Sequence, residues 1–133
     1  MYSIEKRSSG FVLTFGGFIA LPEMQQWLHE SEHHLADAKP PFGVIVDMRK
    51  LAPLMPDAQA TMIAGQKLYK QSGMQRSAVV LDNTVVTAQF RRLAKESGID
   101  AFERYLDASS EPDWRQAAVN WVKLGIDPYA TRR

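Results

Sequence analysis

The sequence contains no cysteine. That excludes a disulfide framework, a thiolate zinc site and a cysteine nucleophile. Charge of one sign is also lacking. Lys and Arg number 16 against 15 Asp and Glu, a net charge of +1, so no overall field draws the chain to nucleic acid or to an anionic membrane. Long apolar runs are missing. The longest uncharged stretch, Ser8 to Pro22, falls short of the roughly 20 residues of a spanning helix. Lys6-Arg7 followed by Phe11–Leu21 imitates an export signal. Glu5 in the basic part, Gly16-Gly17 in the apolar part and the lack of a clean small-x-small site argue against one. We therefore expect a cytoplasmic protein with no integral membrane segment. Phosphate-binding Gly-rich loops and a Gly-x-Ser-x-Gly elbow are absent as well, and no cofactor is expected.

What is present reads as one domain. The chain has 133 residues, 45% apolar and 23% charged, globular values that leave enough apolar surface to form a core. Tyr2–Arg7, a Ser8-Ser9-Gly10 turn and Phe11–Phe15 predict a hairpin. Pro22 and Glu23 open a helix that runs to about Ala38, with Leu21, Met24, Leu28 and Leu35 on one face. Phe42–Met48 is a compact apolar run that predicts a strand buried on both faces. A loop over Leu51–Pro56 leads into a second helix from about Asp57 to Gln71, with Ala58, Met62, Gly65 and Tyr69 inward. Ser77–Leu81 is another strand. Asp82-Asn83-Thr84 caps a third helix that Gly98 ends. Phe102–Leu106 is a weaker strand nearer a sheet edge. Ser110-Glu111-Pro112-Asp113 resembles a capping box before a fourth helix carrying Trp114, Ala117, Ala118, Trp121 and Leu124. The order β-β-α-β-α-β-α-β-α predicts a small α/β domain over residues 1–126, with a mixed, mostly parallel sheet and an N-terminal β-hairpin. Residues 127–133 are expected to form a loose tail.

Few residues suggest chemistry. His29-Glu30-Ser31-Glu32-His33 matches the zinc-protease pattern H-E-x-x-H literally. At about 100° per residue, however, His29 and His33 lie opposite the apolar stripe and face solvent. His34, the third and last histidine, adjoins His33. We expect a polar helix face and no metal. Arg91, Arg92 and Lys95 form a basic cluster without interleaved aromatics, which suits a solvated face better than nucleic acid. Asp47, Asp82 and Asp107 fall at or just after strand ends, where open α/β sheets place their functional crevice; helix capping also favours Asp there. The apolar loop Leu51-Ala52-Pro53-Leu54-Met55-Pro56, with Ile63 off the stripe of the second helix, marks a candidate surface for a partner or a second copy.

The segments Phe42–Leu51, the helix from Asp57, Ser77–Leu81 and Phe102–Asp107 before the Trp-bearing last helix resemble, in order and spacing over about residues 2–125, the STAS-like superfamily. Within it they resemble the SpoIIAA-like group, also described as STAS/SEC14-like. The resemblance implies a non-enzymatic regulatory or scaffolding domain that docks to proteins, itself included as a homodimer. Related bacterial anti-sigma-factor antagonists carry a phosphorylatable Ser at the start of the second helix. Here Ala52-Pro53-Leu54-Met55-Pro56-Asp57 has no Ser, and Pro56 or Asp57 stands near its place. The expected partner-binding residues are Pro53, Leu54, Met55, Asp57 and Ile63. The SEC14-like relatives imply an alternative, a cavity for a small apolar ligand or lipid. A zinc hydrolase through His29, Glu30 and His33 is the remote third reading.

Overall fold

The computed structural model describes residues 1–130. Five strands, β1 (Tyr2–Arg7), β2 (Gly10–Gly17), β3 (Phe42–Leu51), β4 (Met74–Leu81) and β5 (Glu103–Asp107), form one sheet in sequential order. β1 and β2 are antiparallel and the remaining pairs are parallel. The helices are α1 (Leu21–Ala36), α2 (Pro56–Gln71), α3 (Thr84–Ser97) and α4 (Trp114–Leu124). A short 3₁₀ turn at Asp100–Phe102 precedes β5. The expected fold class stands: a single α/β layer system with a mostly parallel sheet and an N-terminal hairpin.

Topology decides where the helices go. The crossovers β2-α1-β3, β3-α2-β4 and β4-α3-β5 all advance in one direction across the sheet. A connection of constant hand therefore lays α1, α2 and α3 side by side on one face, and α1 packs on α2 as α2 packs on α3. α4, which follows the last strand, crosses to the other face and packs on β3, β4 and β5.

Two cores of unequal size result. The main one lies between the sheet and α1–α3 and holds Phe11, Leu13, Phe15, Met24, Trp27, Val44, Val46, Met62, Tyr69, Val79, Phe90 and Leu93. The smaller one, under α4, holds Ala78, Leu106, Ala118, Trp121 and Val122.

This corrects the expectation for β3. Phe42, Val44, Val46 and Met48 are buried, but Gly43, Ile45, Asp47 and Arg49 are only half-buried. A helix is about 10–12 Å wide and strands lie about 4.8 Å apart, so one helix covers about two strands. The outer face of β2 and part of β3 stay open.

Close approach of backbones at the open end requires glycine. A Cβ on Gly10 would lie 1.8 Å from the Gly43 carbonyl oxygen, and one on Gly43 would lie 2.9 Å from Cβ of Val122. Two further expectations need correction. The expected capping box does not form: α4 starts at Trp114, beyond Ser110, with no side-chain cap, because Glu111 to Trp114 form a turn closed by the Trp114 amide on the Glu111 carbonyl at 3.2 Å. The supposed tail is docked as far as it is described. Asp127 pairs with Arg104 at 3.1 Å, Pro128 is buried, and the Tyr129 hydroxyl accepts from the Tyr105 amide at 2.8 Å and donates to its carbonyl at 3.2 Å. Residues 131–133 of that expected tail lie outside the described residues.

Candidate functional site

The parallel strands end at one edge of the sheet, and the loops that follow β2, β3, β4 and β5 crowd there. In the β3–α2 loop, Leu54 donates its amide to Gln89 Oε1 at 2.8 Å, and its carbonyl accepts from Gln59 Nε2 at 2.8 Å and Gln89 Nε2 at 3.0 Å. Two carboxamides from α2 and α3 thus satisfy a loop that has no ladder partners of its own. They also turn Leu54 inward, to 4% exposure. Leu54 therefore leaves the expected docking set and joins the core. Ile63 is half-buried and packs against that core. Pro53, Met55 and Asp57 are exposed. Pro56 sits in the first turn of α2, where its fixed φ and missing N–H fit. Asp57 accepts from the Ala58 amide at 2.7 Å, a short-range bond at the positive end of a helix.

Sequence reasoning missed two exposed apolar residues on the connections either side of the loop that carries Met55. Phe18, in the β2–α1 loop, and Val85, in the first turn of α3, are each 61% exposed, and Met55 is 54% exposed. The three come from three successive strand-to-helix connections at the same edge. Met1 joins them, because its ammonium donates to the Gly16 carbonyl at 2.7 Å while its side chain stays exposed. The signal was present: Phe18 directly follows Gly16-Gly17, and Val85 directly follows the cap residues Asn83-Thr84, both apolar residues placed off any stripe. Asp57, Asp82 and Asp107 are exposed carboxylates at the same edge of the sheet.

The other candidates separate. Asp47 projects from inside β3 toward α4 and makes a bidentate pair with Arg49 at 3.0 and 2.8 Å. Hydrogen bonding to that guanidinium holds its carboxyl below the usual carboxylate range despite partial burial. Asp82 and Asp107 share a surface cleft of about 380 Å³ with Arg91, Tyr105 and Ser109. The Ser109 hydroxyl lowers the Asp107 carboxyl. His29 and His33 are exposed, with ring centroids 4.9 Å apart. Among the described residues no three His, Asp or Glu side chains converge on a metal position. Burial and the adjacent Glu30 carboxylate push the Tyr2 phenol up to about 12. Of the basic cluster, Arg91 stacks over Tyr105 at 4.5 Å and Arg92 pairs with Glu96 at 3.2 Å and bonds Gln59.

One titratable group is wholly internal. Glu103 faces the main core, accepting from the Ser77 hydroxyl at 2.9 Å and the Tyr105 hydroxyl at 2.6 Å. Desolvation drives its carboxyl up to about 7 against these two bonds. It lines an internal cavity of about 30 Å³ with Trp27, Gln66, Ser77 and Phe90. That volume holds about one water molecule. A wider cleft of about 500 Å³ lies on the open sheet face beside α4, lined by Val12, Ile45, Val119 and Val122.

No family model and no curated protein matches the chain. A solved structure does: the NMR structure of the protein TM1081, with a TM-score of 0.58 at 12% identity over 87% of this chain and 90% of that one. At that identity the likeness shows a shared fold. Among the described residues no helix is long and apolar enough to cross a membrane.

Proposed function

We propose that this chain is a non-enzymatic interaction domain that docks a protein partner through the carboxyl edge of its sheet, around the start of α2. One observation carries this. Phe18, Met55 and Val85 stand more than half exposed on three successive loops at one edge. An apolar cluster of this kind, built on short loops of a rigid sheet, suits recognition. Asp57, Asp82 and Asp107 at the same edge favour a partner face that is apolar with a basic rim. The resemblance to anti-sigma-factor antagonists supports the same edge, since their switch Ser lies at the start of the second helix. With Asp57 bonded to its own helix, recognition here rests on shape and fixed charge.

A photo-reactive side chain at position 55 should cross-link the partner. The purified partner should then bind Met55→Glu and Val85→Glu at least about tenfold more weakly than the parent, in the range of a central apolar contact. Leu124→Glu, at the opposite end of the molecule, should bind as the parent does. Equal affinity for all four proteins would overturn this assignment.

A further inference from the structure

The exposed large apolar residues fall into two groups. Met1, Phe18, Met55 and Val85 lie at the carboxyl edge. Leu124, Ile126 and Tyr129, at 68%, 46% and 40% exposure, lie at the other end, where α4 stops and the parallel strands begin. None of the three lines the clefts described above. Leu124 and Ile126 project from the end of α4 and the chain that follows it, whereas Tyr129 is held to β5 through its hydroxyl.

The same end is basic. Two adjoining clefts flank the β1–β2 turn. One, between the turn and α4, is lined by Arg7, Ser8, Ser9 and Lys123. The other, between the turn and the end of α1, is lined by Lys6, Arg7 and Lys39, with Asp37 as its acid. Helix dipoles account for a cation in the last turn of a helix, as at Lys123. They do not account for Lys6 and Arg7, which belong to a hairpin, where Arg7 also makes an exposed pair with Glu5 at 3.1 Å.

Arg76 adds an independent sign. It starts below α4, with its guanidinium so close to the Gly125 turn that a Cβ there would lie 3.2 Å from Nη1. Among the described residues it has no ion pair, and its Nε is buried without a hydrogen-bond partner. Its guanidinium lies 5.7 Å from the centroid of the Trp121 ring, and a cation without a carboxylate partner is complemented by an anion at this end.

We propose that this end docks on an anionic phospholipid surface. Lys123, Arg7, Lys6, Lys39 and Arg76 would meet lipid phosphates, and Leu124 and Ile126 would enter the headgroup region. Projecting aliphatic side chains beside cations match a soft, negatively charged plane. A folded acidic partner would need a complementary hollow for them, which the surface does not demand of a bilayer. This surface is separate from the edge assigned to the protein partner, so a bound partner and a lipid surface would occupy opposite ends.

The test is flotation of the whole protein with vesicles of phosphatidylcholine alone and of phosphatidylcholine mixed with phosphatidylglycerol. Binding to the mixed vesicles only, weakening as salt rises, is expected. At about fivefold per cation near the surface, the double variant Arg7→Glu, Lys123→Glu should bind at least about 25-fold more weakly. Leu124→Ser with Ile126→Ser should cost about tenfold or more with all charges kept. All four positions are on the surface, and circular dichroism checks each fold. The proposal is overturned by failure to bind mixed vesicles, by equal binding of the parent and both double variants, or by binding that the apolar variant leaves unchanged while soluble polyglutamate displaces it. The last result would identify an acidic protein as the occupant.

Discussion

Gly65 shows how much one residue decides. It lies on the inner face of α2, and a Cβ there would fall 2.2 Å from Cη2 and Cζ3 of Trp27. The indole lies flat against Tyr69, with ring centroids 5.9 Å apart and planes within 5°. Trp27 cannot retreat without opening that stack, so Gly65→Ala should lower the stability by about 1–3 kcal/mol, read as a shift in the urea midpoint at unchanged m-value. Glu103 gives a prediction of a different kind. Its carboxyl moves from an ordinary 4.5 to about 7 on burial. Between those values the folded protein holds a proton that the unfolded chain has released. Stability therefore falls as pH rises from about 4.5 to about 7, by at most roughly 3 kcal/mol at 1.36 per pH unit, and then levels off. Glu103→Gln should flatten that decline in denaturation curves taken across the window. An unchanged slope would show that the carboxyl is not the cause. At this scale the sequence was partly legible. Ala58, Met62, Gly65 and Tyr69 were all placed correctly inward, because helical period alone fixes them. Glu103 was read as a sign of an edge strand, and β5 is at the edge. Its burial was not legible, because the Ser77 hydroxyl that receives it comes from a neighbouring strand.

Elements begin where local chemistry is strongest. Asn83 accepts from the amides of Val85 at 2.8 Å and Val86 at 3.0 Å, and α3 starts there as its sequence predicts. Asn83→Ala should cost about 1 kcal/mol, measurable by chemical denaturation. α1 and α2 have no side-chain cap and carry Pro22 and Pro56 in their first turns; Pro22 marks its helix in the sequence, whereas the loop before α2 is expected to run through Pro56. The start of α4 differs from its sequence signal, because the capping-box pattern of Ser110-Glu111-Pro112-Asp113 is used in a turn from Glu111 to Trp114 and the helix begins only after it. The partner-binding loop was half legible. Its apolar composition was evident, but the inward turn of Leu54 depends on Gln59 and Gln89, two polar residues on separate helices. Nothing local distinguishes Leu54 from Met55, one residue away and exposed.

Across the whole molecule, the strands are ranked by how many neighbours cover them. β3 and β4 are central, with helices on both faces, whereas β1 is an edge strand whose residues are largely exposed. Amide exchange should follow that order, slowest at Val44, Val46, Val79 and Val80 and fastest among the strands in Tyr2–Arg7. Rapid exchange at Val79 and Val80 would contradict a sheet centred there. The overall charge of +1 hides a split that composition cannot reveal. All four helices follow a strand and return, so their amino ends share the carboxyl edge and their carboxyl ends share the other. Acids such as Glu23 and Asp57, and bases such as Lys70, Lys95 and Lys123, occupy the matching ends, as helix dipoles favour. A near-neutral chain thereby acquires an acidic end and a basic end.

The sequential strand order has one more consequence. Each strand pairs with the one made just before it, from β1 to β5. During synthesis no strand waits for a distant later partner, and the sheet widens in one direction as the chain emerges. Its growing edge is exposed only until the next strand arrives. The last strand to arrive is then covered along that edge by Tyr129, whose hydroxyl takes the Tyr105 amide. Growth of the sheet ends with a side chain in place of a sixth strand.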